Sequence, residues 1–263
     1  MKNHVCVMVL VLCISCTKVI DINVRKSDIK YVIEGVITNQ PGICTVTVRQ
    51  SKQYDENNEF TGVSDAIVTV TDNSVQHILS ESEPGVYTTS LIQGTPGHEY
   101  SLMVVAGGQT FTSLSVMPAP VGMDSLYVSR GPFGQFKFAT IVYTDPAQIN
   151  NGYRFVQYVN GIKEPTIFWE NDEFTDGQTI TMQLDASAPE KDDPRNIKSG
   201  DSVTVEMQTV DDKVFKYWYS LRAEGGDGDG ITAAPSNPIS NIQGGALGYF
   251  SAHTVQRRSA VAP

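Results

Sequence analysis

Usable cysteine is almost absent from this chain. Of its four cysteines, Cys6 and Cys13 fall inside a short N-terminal apolar run and Cys16 follows directly after it, leaving Cys44 alone in the body of the sequence. One cysteine cannot close an intramolecular disulfide, so stability must come from a hydrophobic core. Positive charge is scarce too: 19 Lys and Arg stand against 29 Asp and Glu, a formal net charge of −10. An acidic surface repels phosphate backbones and anionic headgroups, which excludes nucleic acid as a partner and membrane binding through a basic patch. Long apolar runs are missing as well. The longest, Val5 to Ile14, has ten residues, against roughly 20 for a membrane-spanning helix. Beyond His4 there are only His77, His98 and His253, none with a His, Cys or acidic residue at ligand spacing, so no structural zinc site is expected. No Gly-x-Ser-x-Gly elbow is present. The residues therefore suggest no catalytic group and no cofactor, and the protein is expected not to be an enzyme.

What is present begins at the N-terminus. Lys2 precedes the apolar run, Ser15 ends it with a small residue, and Cys16 follows. This pattern predicts a secretory signal peptide over residues 1–15 with a lipobox-like cysteine behind it. It departs from the usual form at Cys13, where leucine is common, although Leu12 sits one step earlier. Cleavage after Ser15 makes Cys16 the mature N-terminus and the site of lipidation. Several acyl chains, palmitate among them, anchor durably where a single chain holds only marginally. Residues 16–28 then form a short tether.

From Tyr31 onward the apolar period is two. Tyr31 to Ile37, Ile43 to Arg49, Asp65 to Thr71, Val75 to Leu79, Val86 to Thr89, Glu99 to Val105 and Gln109 to Val116 read as seven short strands, with turns at Pro41-Gly42, Asp72-Asn73, Pro84-Gly85 and Gly107-Gly108. Cys44 alternates with Val46 and Val48 and is predicted to face a core as an inert thiol. Pro118-Ala119-Pro120 is a stiff boundary. Beyond it, Ser125 to Ser129, Phe136 to Tyr143, Tyr153 to Val159, Pro165 to Glu170, Thr179 to Leu184 and Ser202 to Gln208 read as strands, with a hairpin signal at Asn160-Gly161. Asp211 to Arg222 reads as a helix with Val214, Phe215, Trp218 and Leu221 on one stripe, and Leu247 to Val261 as a last strand. The expected fold is mainly all-β: an Ig-like or prealbumin-like β-sandwich over residues 29–117, then a second β-rich sandwich or barrel-like domain with one helix over residues 121–263.

Several strings in this frame form one pattern: Glu34-Gly35-Val36-Ile37-Thr38, Ser64-Asp65-Ala66-Ile67-Val68-Thr69-Val70, Gly85-Val86-Tyr87 and Met123-Asp124-Ser125-Leu126. The longest is Asn237-Pro238-Ile239-Ser240-Asn241-Ile242-Gln243-Gly244-Gly245-Ala246-Leu247-Gly248-Tyr249-Phe250-Ser251-Ala252. Together they resemble the Bacteroidota outer-membrane lipoprotein family known as domain of unknown function 4249, over nearly all of the chain after Cys16. That resemblance implies a lipid-anchored outer-membrane protein, often encoded beside a TonB-dependent transporter and accessory to nutrient capture or presentation. It implies no active site. The expected location is the outer membrane, facing the cell surface, with the periplasmic face as the alternative. A structural adhesion or assembly protein is the rival function, and a surface hydrolase the more remote one.

Candidate ligand residues are few. Asp227 and Asp229, in Gly225-Gly226-Asp227-Gly228-Asp229-Gly230, could share a calcium ion, but the full EF-hand pattern is missing and a solvated loop is the better reading. Trp169 and Tyr217 are the candidates for stacking on a sugar, against a default of buried packing. Gly244, Gly245 and Gly248 are read as structural. The acidic groups Glu170-Asp172-Glu173, Asp192-Asp193 and Asp211-Asp212 are read as solvated loops. The lipidation reading predicts that the wild-type protein takes up labelled palmitate in the producing cell and that Cys16→Ala does not; equal label in both would refute it.

Overall fold

The structure, a computed structural model, describes residues 28–53, 60–131, 136–147, 150–186, 193, 195–224 and 237–263. Cys16, and the loop carrying Asp227 and Asp229, lie outside the described residues. The first half of the chain holds β1 (Tyr31–Thr38), β2 (Cys44–Gln50), β3 (Ile67–Asp72), β4 (Val75–Ile78), β5 (Ser80–Glu83), β6 (Val86–Thr89), β7 (Glu99–Ala106) and β8 (Gln109–Val116). After Pro118-Ala119-Pro120 come β9 (Met123–Arg130), β10 (Lys137–Thr144), β11 (Gly152–Val159), β12 (Ile162–Lys163), β13 (Phe168–Asn171), β14 (Thr179–Leu184) and β15 (Ser202–Val210). The helix α1 (Asp212–Glu224) and the last strand β16 (Leu247–Val261) complete the order. No helix among the described residues is long and apolar enough to cross a membrane.

Most predicted strands form where the alternation put them, and two are shorter than expected. Val75 to Leu79 stops one residue early because Leu79 turns into the core; β4 then pairs with β3, and β5 leaves for β6 in another sheet. Pro165 to Glu170 becomes β13 alone, since Pro165 has no N–H to give a ladder. The hairpin predicted at Asn160-Gly161 joins β11 to β12 with both turn residues at positive φ.

Three sheets result. The largest runs β12-β11-β15-β16-β1-β2-β6-β5, with β13 also on β11; the others are β4-β3-β7-β8 and β14-β10-β9. Among the described residues none closes into a barrel. The four-stranded sheet packs on one part of the large sheet around Ile33, Val46, Tyr100, Leu102 and Phe111. The three-stranded sheet packs on another part around Ile141, Tyr143, Phe155, Val205 and Met207. The architecture is thus two sandwiches sharing one wall. β16 makes the wall continuous: it pairs antiparallel with β15 and parallel with β1. Its Phe250 and Ala252 enter the first core, and Ala262, just beyond its end, enters the second. Cys44 lies buried in the first core, where loss of water pushes its thiol up to about 12, as expected of an inert packing cysteine.

Helix α1 covers the outer face of the large sheet. Asp211 caps it: Oδ1 accepts from the Val214 N–H at 2.9 Å. Its other oxygen accepts from the Ser115 hydroxyl at 2.5 Å and the Val116 N–H at 3.2 Å, fastening the helix start to β8. Far from being a solvated acid, Asp211 joins the two halves of the chain.

Between helix and sheet lies a buried polar layer. The Arg154 guanidinium sits 3.7 Å over the Trp218 ring and donates to Gln208 at 3.0 Å. Gln208 donates to Glu206 at 2.6 Å, and Glu206 accepts from Arg257 at 2.8 Å. His253, on the same face of β16, is buried beside Ser251, 2.8 Å from its hydroxyl. Burial pushes its pKa down to about 4, with the Glu206 charge opposing and the Arg154 charge assisting.

Two consequences are testable. Gly248 holds φ +97°, and a Cβ there would run into the Ile33 carbonyl on β1. Gly248→Ala should therefore cost more than about 1 kcal/mol of stability, lowering the melting temperature by at least about 2–4 °C. His253 is neutral in the folded protein at pH values where the unfolded chain takes up a proton. The stability it contributes is complete above the unfolded pKa near 6.5 and is lost as pH falls toward about 4. Denaturant unfolding at pH 7 and pH 5 should show a larger acid loss in the wild type than in His253→Gln.

Candidate functional site: an acidic cleft beside the helix

Both aromatic candidates are occupied by packing within the protein. Trp169 follows the register of β13 and points to the helix side with Arg154. Its ring packs edge-on against Phe215 at 5.5 Å and Tyr219 at 4.8 Å. Tyr217, placed by the helical pattern off the apolar stripe, is instead 7 % exposed and packs at 4.7 Å on Tyr249 and 5.2 Å on Trp218. Burial pushes its hydroxyl up to about 12. The stripe extends to Tyr217 because the large sheet turns Tyr249 outward beneath it, a contact that helical periodicity cannot foresee. Gly244, Gly245 and Gly248 all hold positive φ, and a Cβ at Gly244 or Gly248 would meet the carbonyl oxygen of Thr110 or Ile33.

The most polar convergence lies at the end of the second sandwich. Asp145 directly follows β10, Asp172 directly follows β13, and Asp176 sits in the turn leading to β14. That turn is closed by the Thr175 N–H on the Asp172 carbonyl and the Gln178 N–H on the Thr175 carbonyl, at 3.0 and 2.9 Å. The Asp145 N–H then bonds the Gln178 carbonyl at 2.9 Å, bringing β10 to the turn. Asp145 is 1 % exposed and Asp172 4 %, while Asp176 is open to solvent. One carboxylate oxygen from each lies within 4.8 Å of the others.

Neighbouring donors hold the two buried acids. Tyr153 donates its hydroxyl to Asp145, whose second oxygen accepts from the Gly177 N–H at 3.2 Å. Asn151 donates its backbone N–H to Asp172 at 2.9 Å and its amide to Asp145 at 3.5 Å. Burial first, and then the bond to Asp145, raises the Tyr153 hydroxyl above its ordinary value. Burial likewise raises Tyr143, together with the charges of Glu170 and Asp145, and it raises Glu170 itself. Beside this group is an open cleft of about 590 Å³ whose wall includes Asn151, Asp172, Asp176 and, from the first turns of α1, Asp212 and Lys216.

Chemically, this is an all-oxygen site suited to a hard cation, not to soft-metal binding. It is also poorly suited to polymer hydrolysis. Asp145 has both oxygens bonded and is closed to water, whereas a glycosidase carboxylate must reach the scissile bond. The reading of Asp172 as a solvated loop acid is corrected: the turn that Asp176-Gly177 signals folds it inward against Asn151. Asp145 escaped notice because it stands alone in sequence, 27 positions before Asp172. His98, the histidine with a carboxylate neighbour, pairs Nδ1 with Asp72 at 2.9 Å on the far sandwich.

With fold and cleft described, comparison with curated proteins gives no match. The family described as domain of unknown function (DUF4249) matches residues 17–259, from just after Cys16 to within two residues of the end of β16. The match spans both sandwiches, the helix and every residue of the acidic cleft, and so the chain belongs to the DUF4249 family.

Proposed function

We propose that this protein is a lipid-anchored accessory of the outer membrane that binds without catalysis, helping a TonB-dependent transporter capture or present a nutrient. The observation that carries the anchoring is the N-terminal order: Lys2, the apolar run from Val5 to Ile14, then Ser15-Cys16. The family region begins at residue 17, the position after that cysteine. The transporter partnership rests on what the family resemblance implies.

A protein partner is also favoured by the outer face of the four-stranded sheet. By register, Ile67, Ile78, Met103 and Leu114 all point away from the core there, and Ile78 and Leu114 are 71 % and 44 % exposed. Thr71, Ser101 and Thr112 lie among them. Apart from the exposed Glu99 at the start of β7, the outward strand positions of this face are uncharged, which is unusual on a chain this acidic and is the kind of surface that proteins use for contact. The same face supports the rival reading, self-assembly at the cell surface.

Native purification from the producing cell separates these readings. The expected result is an outer-membrane barrel protein recovered with the wild type and lost with Leu114→Lys. Recovery of the wild type with no barrel partner would overturn the accessory function, and larger homo-assemblies in light scattering would favour assembly instead.

A further inference from the structure

We infer that β16 takes an added strand along its unpaired edge from Arg257 to Val261, and that this strand is an acidic, extended segment of a partner protein. The inference does not rest on the lipid anchor or on any transporter. Its first support is a mismatch of length. β16 runs from Leu247 to Val261, but β1 lies beside it only from Leu247 to His253 and then turns away. β15 holds the opposite edge from Thr254 to Val261. Among the described residues no strand continues the line of β1 past His253.

The second support is the direction of the backbone groups. Alternate residues of a strand aim both N–H and C=O at the same edge. Val255 aims its pair at the β1 side, where the turn after β1 satisfies them: its N–H donates to Asn39 Oδ1 at 2.8 Å and its carbonyl accepts from Gln40 Nε2 at 3.1 Å. Ala262, of opposite parity, donates to the Asp201 carbonyl at 2.9 Å and accepts from the Gly200 N–H at 2.8 Å, on the β15 side. Arg257 and Ser259 share the parity of Val255. Their N–H and C=O groups therefore face the open edge, and none finds a backbone partner among the described residues. A row of unpaired donors and acceptors is a template for another strand.

The third support is charge. Arg257 and Arg258, consecutive on the strand, project to opposite faces. Arg257 reaches Glu206 at 2.6 Å and Arg258 donates to the Met123 carbonyl at 2.5 Å. Arg258 has no carboxylate within ion-pair distance among the described residues. Both line a groove of about 830 Å³ that begins at Thr38 and Gln40, and Glu206, already paired, is the one carboxylate among the described residues of its wall. On a chain of net charge −10 this groove is locally positive. A strand seated in it meets a guanidinium on either face, which favours acidic side chains. The same arginines oppose the pairing of two such edges from two copies, since like charges would meet across the two-fold axis.

The test uses the full-length protein in detergent and a fluorescein-labelled peptide of about seven residues, built from valine, threonine and glutamate with glutamates on both faces. Fluorescence anisotropy should show saturable binding. Methylating the peptide's backbone nitrogens keeps its charge and removes its donors, and should weaken binding about tenfold or more. Arg258→Glu should weaken it about tenfold and favour a peptide with lysines in place of the glutamates. Ser259→Pro removes an N–H from the open edge and none from the β15 ladder, and should weaken binding about tenfold as well. If Ser259→Pro fails to fold, the methylated peptide on the wild type decides. Equal binding of methylated and unmethylated peptides would reduce the contact to charge attraction and overturn the added strand. So would binding unchanged in both variants, or no saturable binding by about 1 mM peptide, the weak end of specific affinity. Homo-assembly of the wild type in light scattering that Ser259→Pro abolishes would give the edge to a second copy and overturn the acidic partner.

Discussion

The parallel pairing of β1 with β16 is the contact on which the rest of the architecture depends. It joins strands more than 200 positions apart, with Val32 opposite Leu247 and Thr38 opposite His253. Because β16 also pairs along β15, the wall of the first sandwich continues into that of the second. Without it, β1 would present a bare edge, the first core would lose Phe250 and Ala252, and the two halves would meet mainly through the proline boundary and the Asp211 cap. The close approach depends on Gly248, where a side chain would collide with the Ile33 carbonyl. Closure of this kind is entropically demanding, since the ends must meet before the contacts that reward it can form.

A wall covered on both sides has consequences for polar residues. The strands at its centre carry Glu206, Gln208, Ser251 and His253 on the face beneath or beside α1, where water is excluded. Each must find a partner inside the protein. The chain from Arg154 through Gln208 and Glu206 to Arg257 does this by alternating donors and acceptors, and Arg154 gains the face of Trp218 as well. His253 takes the other route and stays neutral. The acidic cleft differs in kind. There two buried carboxylates, Asp145 and Asp172, are held by the neutral donors Tyr153, Gly177 and Asn151.

These features divide the molecule by role. The first sandwich presents an outer sheet face poor in charge, and the second holds the acidic group and its cleft. Helix α1 lies between them, capped from β8 on one side and lining the cleft with Asp212 and Lys216 on the other. Asp145, the deepest carboxylate, is held by Tyr153, Gly177 and Asn151 and is closed to solvent.

Much of this was legible in the chain. Strand positions, the turn at Asn160-Gly161, the helix from Asp211, the inward thiol of Cys44 and the family itself follow from residues close together in sequence, because alternation, turn chemistry and helical periodicity are local properties. Other features were settled only in three dimensions. That β16 would join β1, that Tyr217 would be buried under Tyr249, and that Asp145 would meet Asp172 and Asp176 all depend on which surfaces are brought together when the cores close. Periodicity says which side of a strand is apolar; it does not say which strand will lie beside it. The sequence alone determined the β character of this protein, and only the tertiary structure made two sandwiches share one wall and brought three scattered carboxylates together.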